Sequence, residues 1–305
     1  MYATLIVVAV LWGSATGLLL PRAAYRLSVE PEDAYRDTCA AGHPIIGPAR
    51  GWLGTAGCAT CAAAGAVVPA EGAAVRTEAG EAAATSEADT PDTPVDGGAA
   101  RTAVTDTAAE TPDPPAAPRP VLRGARYAPS VPVILVTALV CGALAAATGP
   151  RPELAVWLLL APFAVLLALV DRNVHRLPDQ LTLPLAAASA VLLGIAAPLP
   201  HDGGSWPTAL LGGLVLGACY FVLFLINPNG MGFGDVKLAL SLGVVLGWYG
   251  WLVLFVGAFA GFLLGSLYGL GLMALRRANR KSAIPFGPFM IAGALLGVLL
   301  GALAV

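Results

Sequence analysis

Apolar residues occur in this chain as long blocks separated by short polar stretches, and one long segment of different character interrupts them. Residues 1–20 form the first block, and further blocks predict helices near 131–148, 154–170, 182–199, 207–226, 236–249, 251–275 and 285–304. Most are long enough to cross a bilayer, which takes roughly 20 residues, so the pattern predicts about eight transmembrane helices. The 236–249 block is short for a span, and its ends are the least defined. Glycine is frequent within the blocks, as expected where helices pack closely in lipid. Between the first two helices the pattern changes twice. Residues 21–65 are mixed and hold three cysteines, whereas 66–128 consist mostly of Ala, Thr, Glu, Asp, Pro and Gly. That second stretch cannot bury enough apolar area to offset its ordering entropy, which predicts a disordered acidic linker. The fold class is therefore an all-α polytopic membrane protein. Its parts are a first helix (1–20), a cysteine-containing loop domain (21–65), the linker (66–128) and a seven-helix core (129–305).

Composition agrees. Charged residues are 12% of the 305 and hydrophobic ones 57%, whereas a soluble domain carries about 25% charged residues. The formal charge of −2 hides a division: residues 70–120 carry ten acids against three arginines, a local balance of −7 that leaves +5 elsewhere. No basic face of useful size exists, which excludes nucleic-acid binding. The first block lacks a basic segment before it and is followed by Arg22 and Arg26, so it predicts an uncleaved helix with its N-terminus outside. That orientation puts Arg22, Arg26, Arg123, Arg126, Arg172, Arg176, Arg276, Arg277, Arg280 and Lys281 on the inner side and only Arg151 in outer loops. The asymmetry predicts the cytoplasmic side.

The same topology places two acids on the cytoplasmic face. Asp171 ends the run Leu-Leu-Ala-Leu-Val, and Asp235 follows Gly232-Phe-Gly and opens the next helix. Acids at the edge of hydrocarbon are costly and mark function. Glycines at 232 and 234 suit a carboxylate held where another backbone or a substrate approaches closely. Facing carboxylates cannot both ionise cheaply and hold one proton between them, so one can activate water while the other polarises a carbonyl. Taken singly, Asp235 also fits a helix N-cap and Asp171 an ion pair with Arg172 or Arg176. Asp179 fits a cap for the helix that follows it, and Lys237 a lysine reaching out of the membrane. His175 and His201 fit solvated positions, and Cys141 and Cys219 small core residues inside helices.

Gly232-Phe-Gly-Asp-Val-Lys-Leu238, Asp171, Leu177-Pro-Asp-Gln-Leu-Thr-Leu-Pro184 and Ile284-Pro-Phe-Gly-Pro-Phe289 together resemble the type IV prepilin leader peptidases. The resemblance covers about residues 130–305, and the first helix more loosely. It implies an eight-helix intramembrane aspartic protease with Asp171 and Asp235 as catalytic pair, and Gly232, Gly234 and Lys237 lining the site. It implies prepilin or pseudopilin substrates cleaved after a glycine at the cytoplasmic face of the inner membrane, among lipid and beside pilus or secretion assembly proteins. Proteolysis by such a pair needs no cofactor. Bifunctional members also N-methylate the new N-terminus, so S-adenosylmethionine is implied only if that activity is retained.

Cys58-Ala-Thr-Cys61 lies on the side where thiols stay reduced, which favours a metal site over a disulfide. Family members carry a paired CxxC zinc module in this loop. Here Gly42 stands where a partner for Cys39 is expected, and the adjacent His43 can replace it, giving Cys39, His43, Cys58 and Cys61 as a structural zinc set. The alternative is a loop of free cysteines. Two other functions compete: a proton-coupled transporter using the two acids, and a scaffold without activity. Relay acids usually lie near the midplane, and helix-border acids beside glycines fit proteolysis better.

Overall fold

The computed structural model describes residues 2–29, 33–66, 130–228, 231–275 and 285–305. All of the acidic linker except residue 66 lies outside the described residues, as do Arg123, Arg126, Arg276, Arg277, Arg280, Lys281 and the Asn229-Gly230 pair. The described chain is helical: α1 (Tyr2–Leu27), a short turn α2 (Pro48–Gly51), α3 (Ala59–Ala66), α4 (Ser130–Thr148), α5 (Glu153–Val174), α6 (Asp179–Ala196), α7 (Trp206–Ile226), α8 (Phe233–Gly247), α9 (Trp251–Ala274) and α10 (Gly287–Ala304). Seven of these are long and apolar enough to cross a membrane.

The eighth expected helix is α8, and at 15 residues it falls short of a span. Its length is about 22 Å against a hydrocarbon core of about 30 Å. Being short costs it little, because α8 packs against α6, α7, α9 and α10 and buries ten of its residues rather than facing lipid. The outer helices show the reverse. Leu252, Phe255, Phe259 and Leu263 of α9 are exposed at near-helical spacing, as a lipid-facing surface requires.

Close backbone approach fixes α7 to α8. A Cβ on Gly212 would stand 2.6 Å from the Gly243 carbonyl oxygen, and one on Gly243 would stand 2.5 Å from the Gly212 oxygen. Neither neighbour is a side chain that can turn away. Glycine is needed there for space.

The first helix continues through Pro21 to Leu27, past the apolar block that predicts it. The reason lies in two arginines. Arg22 donates from Nη1 to the Ile46 and Leu53 carbonyls, both at 3.1 Å, and Arg26 donates to the Arg50 carbonyl at 2.8 Å. The Arg26 guanidinium also lies 4.3 Å from the centre of the Trp52 ring. Both side chains are buried, so they carry the helix on and fasten the cysteine loop to its end. At the opposite end of α5 from Asp171, Arg151 pairs with the fully buried Glu153 at 3.5 Å.

Gly243→Val is expected to destabilise the protein by about 1–3 kcal/mol or more, since the rigid backbone of α7 cannot yield. Thermal unfolding of detergent-purified protein measures this; a melting temperature equal to wild type contradicts the packing described.

Candidate active site

Three helix ends meet at one end of the bundle. Asp171 lies in the last turn of α5, Asp235 in the first turn of α8, and Gly287 opens α10. Both carboxylates are buried, with Asp171 4% and Asp235 7% exposed. They line one cavity of about 230 Å³ together with His175, Leu177, Phe233 and Gly234.

Each acid is held by backbone. The Gly287 N–H donates to Asp171 Oδ2 at 3.0 Å. A carboxylate at the C-terminal end of α5 opposes that helix's dipole, and the positive N-terminus of α10 offsets this. Asp235 sits in the first turn of α8, where the dipole favours an anion. The N-cap of α8 is Gly232, without a side-chain cap, and the Asp235 N–H donates to the Gly232 carbonyl at 3.0 Å. Asp235 is therefore not the helix cap, and its side chain faces the cavity. Among the described residues no ion pair joins Asp171 to an arginine. The simple structural roles proposed for each acid are thus not the ones observed.

The glycines differ. A Cβ on Gly234 would lie 3.0 Å from Leu177 Cβ, so Gly234 lets α8 start against the segment that leaves α5. At Gly232 the nearest atom to such a Cβ is Asp235 Oδ2 at 3.7 Å, an ordinary contact. Crowding accounts for one glycine only. Lys237 lies over the Phe233 ring at 4.7 Å and pairs with Asp179 at 2.5 Å. Asp179 therefore joins α6 to α8 through an ion pair; the cap of α6 is Pro178. His175 ends α5 in a left-handed conformation (φ 53°) and lines the cavity, although its side chain is exposed.

Two contributors have little signal in the sequence. Gly287 touches Asp171 across 116 positions, and a Cβ on it would stand 2.8 Å from Asp171 Oδ2. Tyr220 of α7 stacks with Phe262 at 5.4 Å and, with Phe286 at 6.3 Å, forms an aromatic wall beside the start of α10. Only the Pro-Phe-Gly-Pro segment marked this region beforehand, and it named no contact.

A second cluster lies in the loop after α1. Cys39, His43, Cys58 and Cys61 bring one donor atom each within 4.8 Å of one another. The local chain explains it. Gly42 takes φ +82° at the tip of a turn closed by the Cys39 N–H to the His43 carbonyl at 2.8 Å, and this swings His43 back to Cys39. His43 Nδ1 lies 3.6 Å from Cys39 Sγ and 3.2 Å from Cys61 Sγ. The Cys39 and Cys61 sulfurs are 3.7 Å apart, well beyond the roughly 2 Å of a disulfide. Burial pushes the Cys58 thiol up, but hydrogen bonds from the Cys61 backbone and thiol outweigh it and bring it down to about 6. Burial pushes Cys61 up to about 11. The four groups can hold a metal ion. Of the two cysteines placed inside helices, Cys141 is buried, whereas Cys219 is exposed on α7 rather than in the core.

Comparison with known proteins adds to this geometry. Residues 158–270 match the Type IV leader peptidase family. Over 172 residues the chain is 36% identical to the prepilin leader peptidase/N-methyltransferase of Aeromonas salmonicida (strain A449), covering 55% of this chain and 57% of that protein. It is 33% identical over 176 residues to the protein of the same name in Pseudomonas aeruginosa, with the same coverage. With that of Bacillus subtilis (strain 168) identity is 29% over 170 residues, 55% of this chain and 64% of the relative. The chain thus spans little more than half the length of the first two relatives. No solved structure matches it.

Gly287→Ala is expected to lower stability by about 1–3 kcal/mol by driving a methyl group against Asp171, while Gly271→Ala, with nothing near its Cβ, is expected not to. Equal melting temperatures for the two variants would contradict the contact.

Proposed function

We propose, for a chain whose residues 158–270 match the Type IV leader peptidase family, that Asp171 and Asp235 cleave the leader from prepilins or pseudopilins. The observation that carries this reading is the sharing of one cavity by the two buried carboxylates. One carboxylate takes a proton from water as its oxygen attacks the scissile carbonyl, and the other, protonated, gives its proton to the carbonyl oxygen. Collapse of the tetrahedral intermediate breaks the C–N bond, the first acid protonates the leaving amine, and a hydroxyl proton returns to the second. Gly232, Gly234 and Lys237 border this chemistry, with Gly234 letting the first turn of α8, and so Asp235, approach the segment at Leu177. The placement of both acids at helix ends rather than mid-helix favours hydrolysis over a proton relay.

The charge asymmetry supports an inner-membrane protein with its N-terminus outside and the aspartates at the cytoplasmic face. The relatives' names pair the peptidase with N-methyltransferase; methylation of the mature N-terminus from S-adenosylmethionine is the second half of the proposal and rests on those names alone. For the cysteine cluster the metal is zinc. A Zn–S bond of about 2.3 Å gives sulfur–sulfur edges of about 3.8 Å in a tetrahedron, and the Cys39 and Cys61 sulfurs, 3.7 Å apart, stand close to that value. Its role is structural, since none of its four donors lines the aspartate cavity.

Purified protein incubated with a prepilin is expected to release the leader after its terminal glycine, and Asp171→Asn or Asp235→Asn to lower the rate by at least about a thousandfold. Mass spectrometry of the product, with and without S-adenosylmethionine, reads both the cut and any added methyl group. Normal cleavage by either well-folded variant overturns the assignment. Metal analysis is expected to find about one zinc per chain, lost in Cys61→Ser; folded, metal-free wild type rules the site out.

A further inference from the structure

Two cavities flank the aspartates, and their linings differ. One, of about 430 Å³, lies among α4, α5, α6, α8 and α10, has almost wholly apolar walls, and reaches Arg172 and Pro288. These are the neighbours in sequence of Asp171 and Gly287. The other, of about 310 Å³, lies between the segment that follows α1 and the 174–180 segment, with Val29, Asp33 and Tyr35 on one wall and Val174, Arg176 and Leu177 on the other. It shares Arg176, Leu177 and Asp179 with the aspartate cavity, so the two adjoin as a trench along that segment. The trench walls are braced: Tyr35 Oη bonds Gln180 Oε1, and Asn173 Nδ2 donates to Ser28 Oγ at 3.2 Å.

A chain threaded past Asp171 and Asp235 therefore meets apolar surface on one side of the scissile bond and a polar trench on the other. The charges of the trench are uneven. Asp33, Asp171, Asp179 and Asp235 line it against Arg176. Asp179 is neutralised by Lys237 at 2.5 Å, and the two aspartates of the dyad are committed to chemistry. Asp33 is exposed and has no ion pair among the described residues. Among the described carboxylates of the trench it is the one free to meet a ligand.

We propose that this trench is the subsite for the polar segment of the substrate on the water side of the cut, and that Asp33 selects a cationic side chain there. The proposal rests on the peptidase reading above. It gives the loop after α1 a part in specificity: the loop that carries the cysteines also supplies one wall of the substrate's path. A charge at such a rim sets which partner is accepted more than how fast bonds break.

The test compares full-length wild type, Asp33→Asn and Asp33→Lys in detergent on two prepilin substrates, one with a lysine- or arginine-bearing leader and one with those residues changed to glutamate. Asp33→Lys is expected to raise KM for the basic leader about fivefold to tenfold with kcat within twofold, in line with the strength of an exposed ion pair and its reversal. It is also expected to cleave the acidic leader better than wild type does, with Asp33→Asn intermediate. A structural role for Asp33 cannot produce that reversal. Equal loss on both substrates, or no change on either, overturns the proposal. Wild type that cleaves neither substrate removes the peptidase reading itself, an outcome distinct from a wild type that cleaves both without regard to Asp33.

Discussion

A buried carboxylate at the C-terminal end of a helix faces the negative end of that helix's dipole, and something must hold it there. In this protein the Gly287 N–H does so, at 3.0 Å from Asp171 at the opening turn of α10. Much else follows from that one bond. It requires α10 to start against the end of α5, and it requires residue 287 to lack a side chain, because a Cβ would meet the carboxylate at 2.8 Å. The aromatic contacts among Tyr220, Phe262 and Phe286 pack α7 and α9 behind the same point. With the start of α10 fixed, α8 brings Asp235 to the same cavity from its own N-terminal turn, where an acid is favoured.

The rest of the bundle makes this convergence stable. α8 is too short to span and too enclosed to need to, and the glycines it exchanges with α7 let backbones meet at distances no other residue permits. The loop after α1 is fastened by Arg22 and Arg26 to the end of its helix and braced by Tyr35 and Asn173 to the segment that carries His175. A four-donor cluster and an aspartate cavity thus lie on one structural unit, although none of the four donors lines that cavity.

The parts readable in the sequence were those set by local pattern. Apolar blocks give the spans, and Asp171 and Asp235 stand out because an acid at the border of hydrocarbon has few reasons to be there. Cys58 and Cys61 are readable from spacing and Cys39 and His43 from the resemblance to the family's loop, and the turn at Gly42 shows why a glycine can stand where a thiol was expected. What was not readable depends on contacts distant in sequence. Gly287 meets Asp171 only after the chain has returned through four further helices. Asp179 looks like a cap until α8 brings Lys237 to it, and Arg22 and Arg26 look like loop charges until the cysteine loop folds back onto them. The 15-residue α8 is shorter than the helices around it, and its length makes sense only once those neighbours enclose it.

The central claim is that Asp171 and Asp235 act as one unit, and a double-mutant cycle on cleavage rate tests it most directly. Groups that work together are strongly non-additive, so the Asp171→Asn/Asp235→Asn protein is predicted to be no slower than the slower single variant. Losses that multiply in the double variant, on protein shown to be folded, would mean that the two carboxylates contribute independently and that the shared site described here is wrong.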